Sequence, residues 1–158
     1  MLTYIRAQWR RYFGLNLSPV APLLFVGGQF RPEQWPQLQG LGVRAVLSLQ
    51  AEHEDVFPGT PPEMALRLLV RDFAAPSLEQ FAAGVAFIAQ AHRANLPVLI
   101  HCRAGVGRAP LMAAAYLVAS RRMGYREALA HVRSARPIIG PNPVQVVRLR
   151  EYAAQRQG

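Results

Sequence analysis

Short apolar runs alternate with stretches of helical periodicity along most of this chain of 158 residues. Four runs rich in Val, Leu and Ile have the length of strands, and the segments around them have helical spacing or cap signals. Strands that alternate with helices favour a mainly parallel sheet with helices on both faces. We therefore predict a single α/β domain whose central sheet has four to five strands flanked by helices. The predicted strands span residues 23–26, 43–49, 64–70 and 96–100.

The predicted helices are set by cap and breaker residues. Ser77 is followed three residues later by Gln80, which is the pattern of a capping box, so a helix is expected from residue 77 to residue 93. An apolar helix over residues 110–123 is expected to end at Gly124. The remaining predicted helices span residues 32–41, 126–135 and 143–156.

The chain is predicted to divide into a basic amphipathic segment, residues 1–20, and a folded domain, residues 21–158. Within residues 1–13, apolar side chains recur at helical spacing while Arg6 and Arg10 lie on another face. Such a helix can make peripheral contact with an anionic membrane. It can also pack its apolar stripe on the domain, which is the more common arrangement. Apolar runs elsewhere are too short to span a membrane.

Composition narrows the possible functions. The single cysteine, Cys102, excludes an internal disulfide and a cysteine-rich zinc site, and it favours a reducing, cytoplasmic setting. All 18 cationic residues are arginine and the net charge is +9, so any anionic partner is attracted. The arginines are scattered, and we expect no nucleic-acid partner. Because lysine is absent, a Walker-type phosphate loop is excluded.

The segment LIHCRAGVGRAP carries most of the chemical information. It places Cys102 directly after a predicted buried strand and directly before a predicted helix. Gly105 and Gly107 allow a tight curl in which successive backbone amides point into one concavity. Together with the positive end of the following helix, this loop can receive a tetrahedral anion such as phosphate, sulfate or vanadate. The residues predicted to bind the anion are Arg103, Ala104, Gly105, Val106, Gly107 and Arg108.

The same electrostatic field favours the thiolate form of Cys102. Arg108 can return across the loop and hold two phosphate oxygens with its planar guanidinium group. A thiolate beneath a bound phosphate, with an arginine beside it, is suited to nucleophilic phosphoryl transfer.

The sequence HCRAGVGR resembles the His-Cys-x2-Gly-x2-Arg signature of the cysteine-dependent protein tyrosine phosphatase superfamily. Residues 23–150 look like its small dual-specificity branch, and RSARPIIGPN is similar to the end of that domain. The resemblance implies hydrolysis of phosphate monoesters through a phosphocysteine intermediate, without a metal or any other cofactor. It implies a phosphorylated protein or a small phosphomonoester as the substrate.

The mechanism also needs a general acid. Loops that follow parallel strands leave the same edge of the sheet, so Asp72 is expected to face Cys102. The segment RDFAAPSLEQF resembles the acid loop of the family, and Asp72 would protonate the leaving oxygen and then activate water. The alternative for Asp72 is a loop or helix-capping role. Asp55 and Glu54 are the reserve candidates, and Glu52 could pair with Arg108 and set its direction.

Two supporting residues flank the motif. His101 is expected to fix the backbone of Cys102 by hydrogen bonding or to have a structural role only. Ala109 occupies the position where the family usually has Ser or Thr, whose hydroxyl helps the sulfur to leave in the second step. We therefore expect a burst of product followed by slow turnover. Some relatives with the same Gly-Arg-Ala-Pro ending are phosphatases, so Ala109 does not predict an inactive enzyme.

Several functions remain open at the level of sequence. A chain of 158 residues leaves little room for the loop that deepens the pocket of classical tyrosine phosphatases. A shallower pocket would accept phosphotyrosine, phosphoserine, phosphothreonine and non-protein phosphates. The alternative is a phosphatase of phospholipids (phosphatidylglycerophosphate or a phosphoinositide) or of phosphoglucans. More distant alternatives are a rhodanese-like sulfurtransferase and a phosphate-binding module with low turnover.

Overall fold

The computed structural model describes Leu2 and residues 14–157. The predicted amphipathic helix over residues 1–13 therefore lies almost wholly outside the described residues. No helix in the described part of the chain has the length and hydropathy needed to cross a membrane.

In the part of the chain that the structure describes, five strands form one sheet, and five α-helices and one 3-10 turn surround it. The strands are β1 (Leu17–Ala21), β2 (Leu24–Gly27), β3 (Ala45–Ser48), β4 (Met64–Arg67) and β5 (Val98–His101). A 3-10 turn, Pro32–Gln34, leads into α1 (Trp35–Gly40). The other helices are α2 (Leu78–Arg93), α3 (Arg108–Arg121), α4 (Tyr125–Ala135) and α5 (Pro143–Gln157).

The strand order is β1-β2-β5-β3-β4. Strands β2, β5, β3 and β4 are parallel, and β1 pairs antiparallel with β2 at one edge. This arrangement confirms the predicted mainly parallel sheet. Because β3, β4 and β5 point the same way, the segments after them emerge at one edge of the sheet, as expected for a ligand site in such folds.

The two faces of the sheet are covered unequally. Val46 and Leu99 pack against Trp35 and Leu38 of α1 in a small cluster. The opposite side chains of the same strands belong to a much larger core formed with α2, α3, α4 and α5. Alternation of side chains along each strand produces these two clusters. Helix α3 lies at the centre of the larger core and is buried over most of its length.

Strand β1 was not predicted, and it crosses the proposed boundary between residues 20 and 21. Its sequence, LSPVA, contains Pro19, which is unfavourable within a strand. Pro19 is tolerated because β1 lies at the edge of the sheet and the pairing is irregular between Pro19 and Ala21. Residues 17–21 are therefore part of the sheet.

Most predicted element boundaries differ from the observed ones by a few residues, and those of α3 are the most informative. The capping box is confirmed: Gln80 N donates to Ser77 Oγ at 3.0 Å, and Ser77 N donates to Gln80 Oε1 at 3.0 Å. The prediction for α3 was wrong at both ends. The helix begins at Arg108, since a first turn tolerates Pro110, and it ends where Arg122 adopts the left-handed conformation, with φ 54°. Gly124 instead precedes α4 in an extended conformation.

Candidate active site

Residues 102–107, here called the anion loop, connect β5 to α3 at the carboxyl edge of the sheet. Gly105 has φ 70°, a conformation that side chains other than glycine rarely adopt. A Cβ atom at this position would lie 2.5 Å from Arg136 Nη2 and 2.6 Å from the carbonyl carbon of Gly27. The loop can therefore fold against β2 only because residue 105 is glycine.

The carbonyl groups of the anion loop point away from the pocket because other parts of the chain bind them. Gln29 N donates to the carbonyl of Arg103 at 2.9 Å, and Gly140 N donates to that of Val106 at 2.9 Å. The carbonyls of Ala104 and Gly105 accept hydrogen bonds from the side chain of Arg136. Asn16 Nδ2 also donates to Ala104 O, at 3.0 Å.

In a trans peptide the N–H group points opposite to the carbonyl of the preceding residue. With the carbonyls of residues 103–106 turned outward, the N–H groups of residues 104–107 point toward the concave side of the loop. These N–H groups donate to no acceptor within residues 14–157. Four such donors in a row, followed by the N-terminus of α3, form a concave cradle whose donors are suited to an anion.

Arg136 supports the anion loop from the side opposite the pocket. It is fully buried behind the anion loop. Its Nε donates to Gly105 O at 2.8 Å, Nη1 to Ser18 Oγ at 3.1 Å and Nη2 to Asn16 Oδ1 at 2.6 Å. Strand β1 thus contributes to the support of the loop. The motif RSARP gave no signal for this role, because the contact depends on the unpredicted β1.

Cys102 and Arg108 lie at the two ends of the anion loop. Cys102 is a free cysteine that is 2% exposed, directly after the last residue of β5. Arg108 is 1% exposed. Burial opposes the charge of Arg108, but its hydrogen bonds to Glu52 and the charges of Cys102, Glu52 and Asp72 outweigh this effect and raise its pKa.

The guanidinium of Arg108 is held in one orientation by two segments. Nη1 and Nη2 donate to the two carboxylate oxygens of Glu52 at 2.7 and 2.9 Å. Nη1 also donates to the carbonyls of Leu49 and Val70, at 3.2 and 2.8 Å. The four hydrogen bonds involve only Nη1 and Nη2 of Arg108. The Nε–H group of Arg108 and the backbone N–H groups of residues 104–107 take no part in them. The hypothesis that Glu52 pairs with Arg108 is thus confirmed, and Arg108 lowers the pKa of Glu52 from 4.5 to about 2, partly opposed by burial.

Asp72 reaches the same pocket from the segment after β4. Its Oδ1 lies 3.2 Å from Arg108 Nη2, and its side chain is 37% exposed. A cavity of about 390 Å³ opens between this segment and the anion loop. Its lining includes Asp72, Phe73, Arg103, Ala104, Val106, Gly107, Arg108, Gly140, Asn142 and Gln145. The structure therefore brings Asp72, Arg103 and the loop around one cavity, with Cys102 at the start of that loop.

The reserve acids are placed elsewhere. Asp55 Oδ2 is 2.6 Å from His101 Nε2, and both side chains are buried. Glu54 is largely exposed and 4.0 Å from Arg67. His101 also packs edge-on against Phe30, with ring centroids 5.2 Å apart. His101 and Asp55 thus form a buried pair at the end of β5, away from the cavity lining.

Ala109 is fully buried in the first turn of α3, directly after Arg108. Its methyl group offers no hydroxyl at the position where the resemblance places one. No group of three or more His, Cys, Asp or Glu side chains among the described residues is arranged to hold a metal ion.

Comparison with known proteins places this site in a family. The sequence model "Dual specificity phosphatase, catalytic domain" matches residues 24–155. Dual specificity protein phosphatase 22-B of Danio rerio is 30% identical over 140 residues, covering 88% of this chain and 75% of that protein. Phosphatidylglycerophosphate phosphatase PTPMT1 of Arabidopsis thaliana is 32% identical over 123 residues, covering 75% of this chain and 36% of that protein.

The fold gives the same assignment. The crystal structure of human DUSP28 has a TM-score of 0.79 with 29% sequence identity, covering 90% of this chain and 95% of that one. The chain spans only 12% to 21% of the length of three further curated relatives, which are much larger proteins. By family match and by identity to its relatives, this chain belongs to the dual specificity phosphatase catalytic-domain family.

Proposed function

We propose that this chain hydrolyses phosphate monoesters as a dual-specificity phosphatase, through a phosphocysteine intermediate on Cys102. The row of inward-facing N–H groups at residues 104–107, beside the buried guanidinium of Arg108, carries the proposal. Such donors match the oxygens of a phosphate dianion, and they remain in place as charge shifts during transfer. Arg103 at the cavity wall adds positive charge at the entrance.

In the first step, the thiolate of Cys102 attacks phosphorus, so an S–P bond forms and the bond to the leaving oxygen breaks. Asp72 supplies the proton to that oxygen. As a carboxylate, Asp72 lies 3.2 Å from the guanidinium of Arg108. A phosphate bound to Arg108 therefore lies beside the carboxyl group that supplies the proton.

In the second step, Asp72 takes a proton from water, the water oxygen attacks phosphorus, and the S–P bond breaks to release phosphate and the thiolate. The amides of the loop and Arg108 hold the transferring group in both steps. Ala109 has no hydroxyl to stabilise the departing thiolate. The second step is therefore the slower one in this proposal.

A phosphorylated protein is the substrate class that the site and the family favour. The cavity is open, and Phe73 beside Asp72 is 77% exposed, so an aromatic surface lies next to the bound phosphate. Because its nucleophile is a thiol, the enzyme works best in a reducing compartment such as the cytoplasm.

A phospholipid phosphate is the second candidate. The similarity to a plant phosphatidylglycerophosphate phosphatase supports it. A panel of phosphopeptides, inositides, phosphatidylglycerophosphate and phosphoglucan, assayed at equal phosphate concentration, separates the two candidates by kcat/KM.

Hydrolysis of an aryl phosphate tests the proposed chemistry. We expect inhibition by vanadate, loss of hydrolysis in Cys102→Ser, and a fall of about two or more orders of magnitude in Asp72→Ala. Phosphopeptide binding without a product burst would support the low-turnover binding module instead. Formation of thiocyanate from thiosulfate, unaffected by Asp72→Ala, would support the sulfurtransferase.

A further inference from the structure

Residues 71–76, here called the acid loop, carry Asp72 between β4 and α2. Within the loop, Ala74 N donates to Arg71 O at 3.0 Å, and Phe73 N donates to Asp72 Oδ1 at 3.1 Å. Phe73 has φ 65°, a left-handed conformation that costs a non-glycine residue free energy. Its side chain is largely exposed, so its own packing does not offset this cost. The conformation that presents Asp72 therefore depends on contacts from outside the loop.

The first two turns of α5 and the residue before it supply these contacts. Asn142 Nδ2 donates to Phe73 O at 2.7 Å. Gln145 Nε2 donates to Ala74 O at 3.0 Å, and Arg148 Nη1 donates to Pro76 O at 3.3 Å. Three carbonyls of the acid loop are thus bound by side chains that lie about 70 residues further along the chain.

The two amide side chains are themselves fixed by a reciprocal cap at the start of α5. Asn142 N donates to Gln145 Oε1 at 2.9 Å, and Gln145 N donates to Asn142 Oδ1 at 2.9 Å. Each side chain therefore accepts with its oxygen from the backbone N–H group of the other residue and donates with its nitrogen to the acid loop. This division of roles leaves neither amide group free to rotate without the loss of two hydrogen bonds.

Gln145 also lies against the anion loop. It is 2% exposed, and a Cβ atom added to Gly107 would lie 3.1 Å from its Oε1. The same side chain thus touches the phosphate-binding loop and holds the segment that carries Asp72. The acid loop and the anion loop thus meet at the side chain of Gln145.

We propose that Asn142 and Gln145 are positioning residues for the general acid: they hold the acid loop so that Asp72 faces the leaving oxygen. The inference rests on the proposed function and assigns to the start of α5 a role in the first chemical step. Neither residue contacts the reacting atoms, so each acts through Asp72. A displacement of the acid by about 1 Å costs up to a hundredfold in rate.

Asn142→Ser separates this role from a structural one. A serine at this position keeps an oxygen that can accept from Gln145 N, so the cap of α5 is retained. It loses the nitrogen that binds Phe73 O. Asn142→Asp, which also keeps the acceptor, replaces it if the serine variant does not fold. Gln155→Ser, an exposed change of amide to serine on the same helix, is the matched control.

The readout is the dependence of kcat/KM on the leaving group. We expect Asn142→Ser to lower kcat/KM about tenfold to a hundredfold for aryl phosphates with weakly acidic phenols. Esters of strongly acidic phenols, which leave without protonation, should lose less than about threefold. The affinity for vanadate should not change, and Gln155→Ser should match the parent protein for every ester.

A double variant completes the test. In an Asp72→Asn background, the added Asn142→Ser change should have no further effect on any ester. An equal loss for all leaving groups, or a full loss in the Asp72→Asn background, would overturn the positioning role. If Asp72→Asn itself leaves the leaving-group dependence unchanged, the proposed function fails at its general acid, which is a different outcome.

Discussion

At the scale of single residues, Ala109 occupies the position where the resemblance to the family leads us to expect Ser or Thr. In the proposed mechanism, the backbone cradle, Arg108 and Asp72 serve the first step, whereas residue 109 offers no hydroxyl to the second. Ala109 is fully buried in the first turn of α3, so a small polar substituent there would face the protein interior rather than solvent. The identity of this one residue is expected to decide which step limits turnover.

The variant Ala109→Ser should therefore increase the rate of steady turnover. A hydrogen bond to a charged group contributes about 1.5–3 kcal/mol, so we expect an increase of about tenfold in the slow phase. The initial burst, which reports the first step, should keep its rate. Stopped-flow measurement of phenol release resolves both phases. An unchanged slow phase would show that breakdown of the phosphoenzyme does not limit turnover in the parent protein.

At the scale of elements, the connection between β5 and α3 is the unit that contains most of the candidate active site. Its sequence predicted a strand, a loop and a helix in this order, and the structure contains all three. The supports of the loop were not predictable. Arg136 and Asn16 reach it from the residue after α4 and from the residue before β1, which are distant in the sequence. Only the pairing of β1 with β2 brings them together.

Gly105→Ala tests whether the binding of an anion requires the carbonyls of the anion loop to point outward. The added Cβ atom would meet Gly27 and Arg136, and the left-handed conformation costs a further 1–3 kcal/mol or so. We expect a loss of vanadate affinity of more than about tenfold, together with a lower Tm. Gly40→Ala is the control, since a Cβ atom there has no neighbour within 4 Å. Vanadate affinity retained in Gly105→Ala would contradict the geometry of the cradle.

At the scale of the whole molecule, alternation of apolar runs and helices was sufficient to predict the class of sheet. It was not sufficient for β1, where Pro19 hides the strand pattern, or for the ends of α3, where Arg122 adopts a conformation more typical of glycine. The partners of the acidic side chains also depend on contacts between segments that are distant in the sequence. Sequence ranked Asp55 as a reserve acid, whereas its partner is His101.

The ion pair of Glu52 and Arg108 links the stability of the molecule to pH. The pKa of Glu52 is lowered from 4.5 to about 2 in the folded protein, mainly by hydrogen bonds from Arg108. Its contribution to stability is therefore complete above pH 4.5 and is lost as the pH falls toward 2. Glu52→Gln should have a lower Tm than the parent at pH 7, and the difference should shrink across this window. A difference in Tm that stays constant from pH 7 to pH 2 would contradict the assignment.

The covalent step is the centre of this account, and mass spectrometry of the intact protein observes it directly. The protein is mixed with an aryl phosphate, quenched in acid during the slow phase and weighed. We predict an added mass of one phosphoryl group, located on the peptide that contains Cys102 and absent from Cys102→Ser. Steady release of phosphate by a protein that never carries this group on Cys102 would contradict the account.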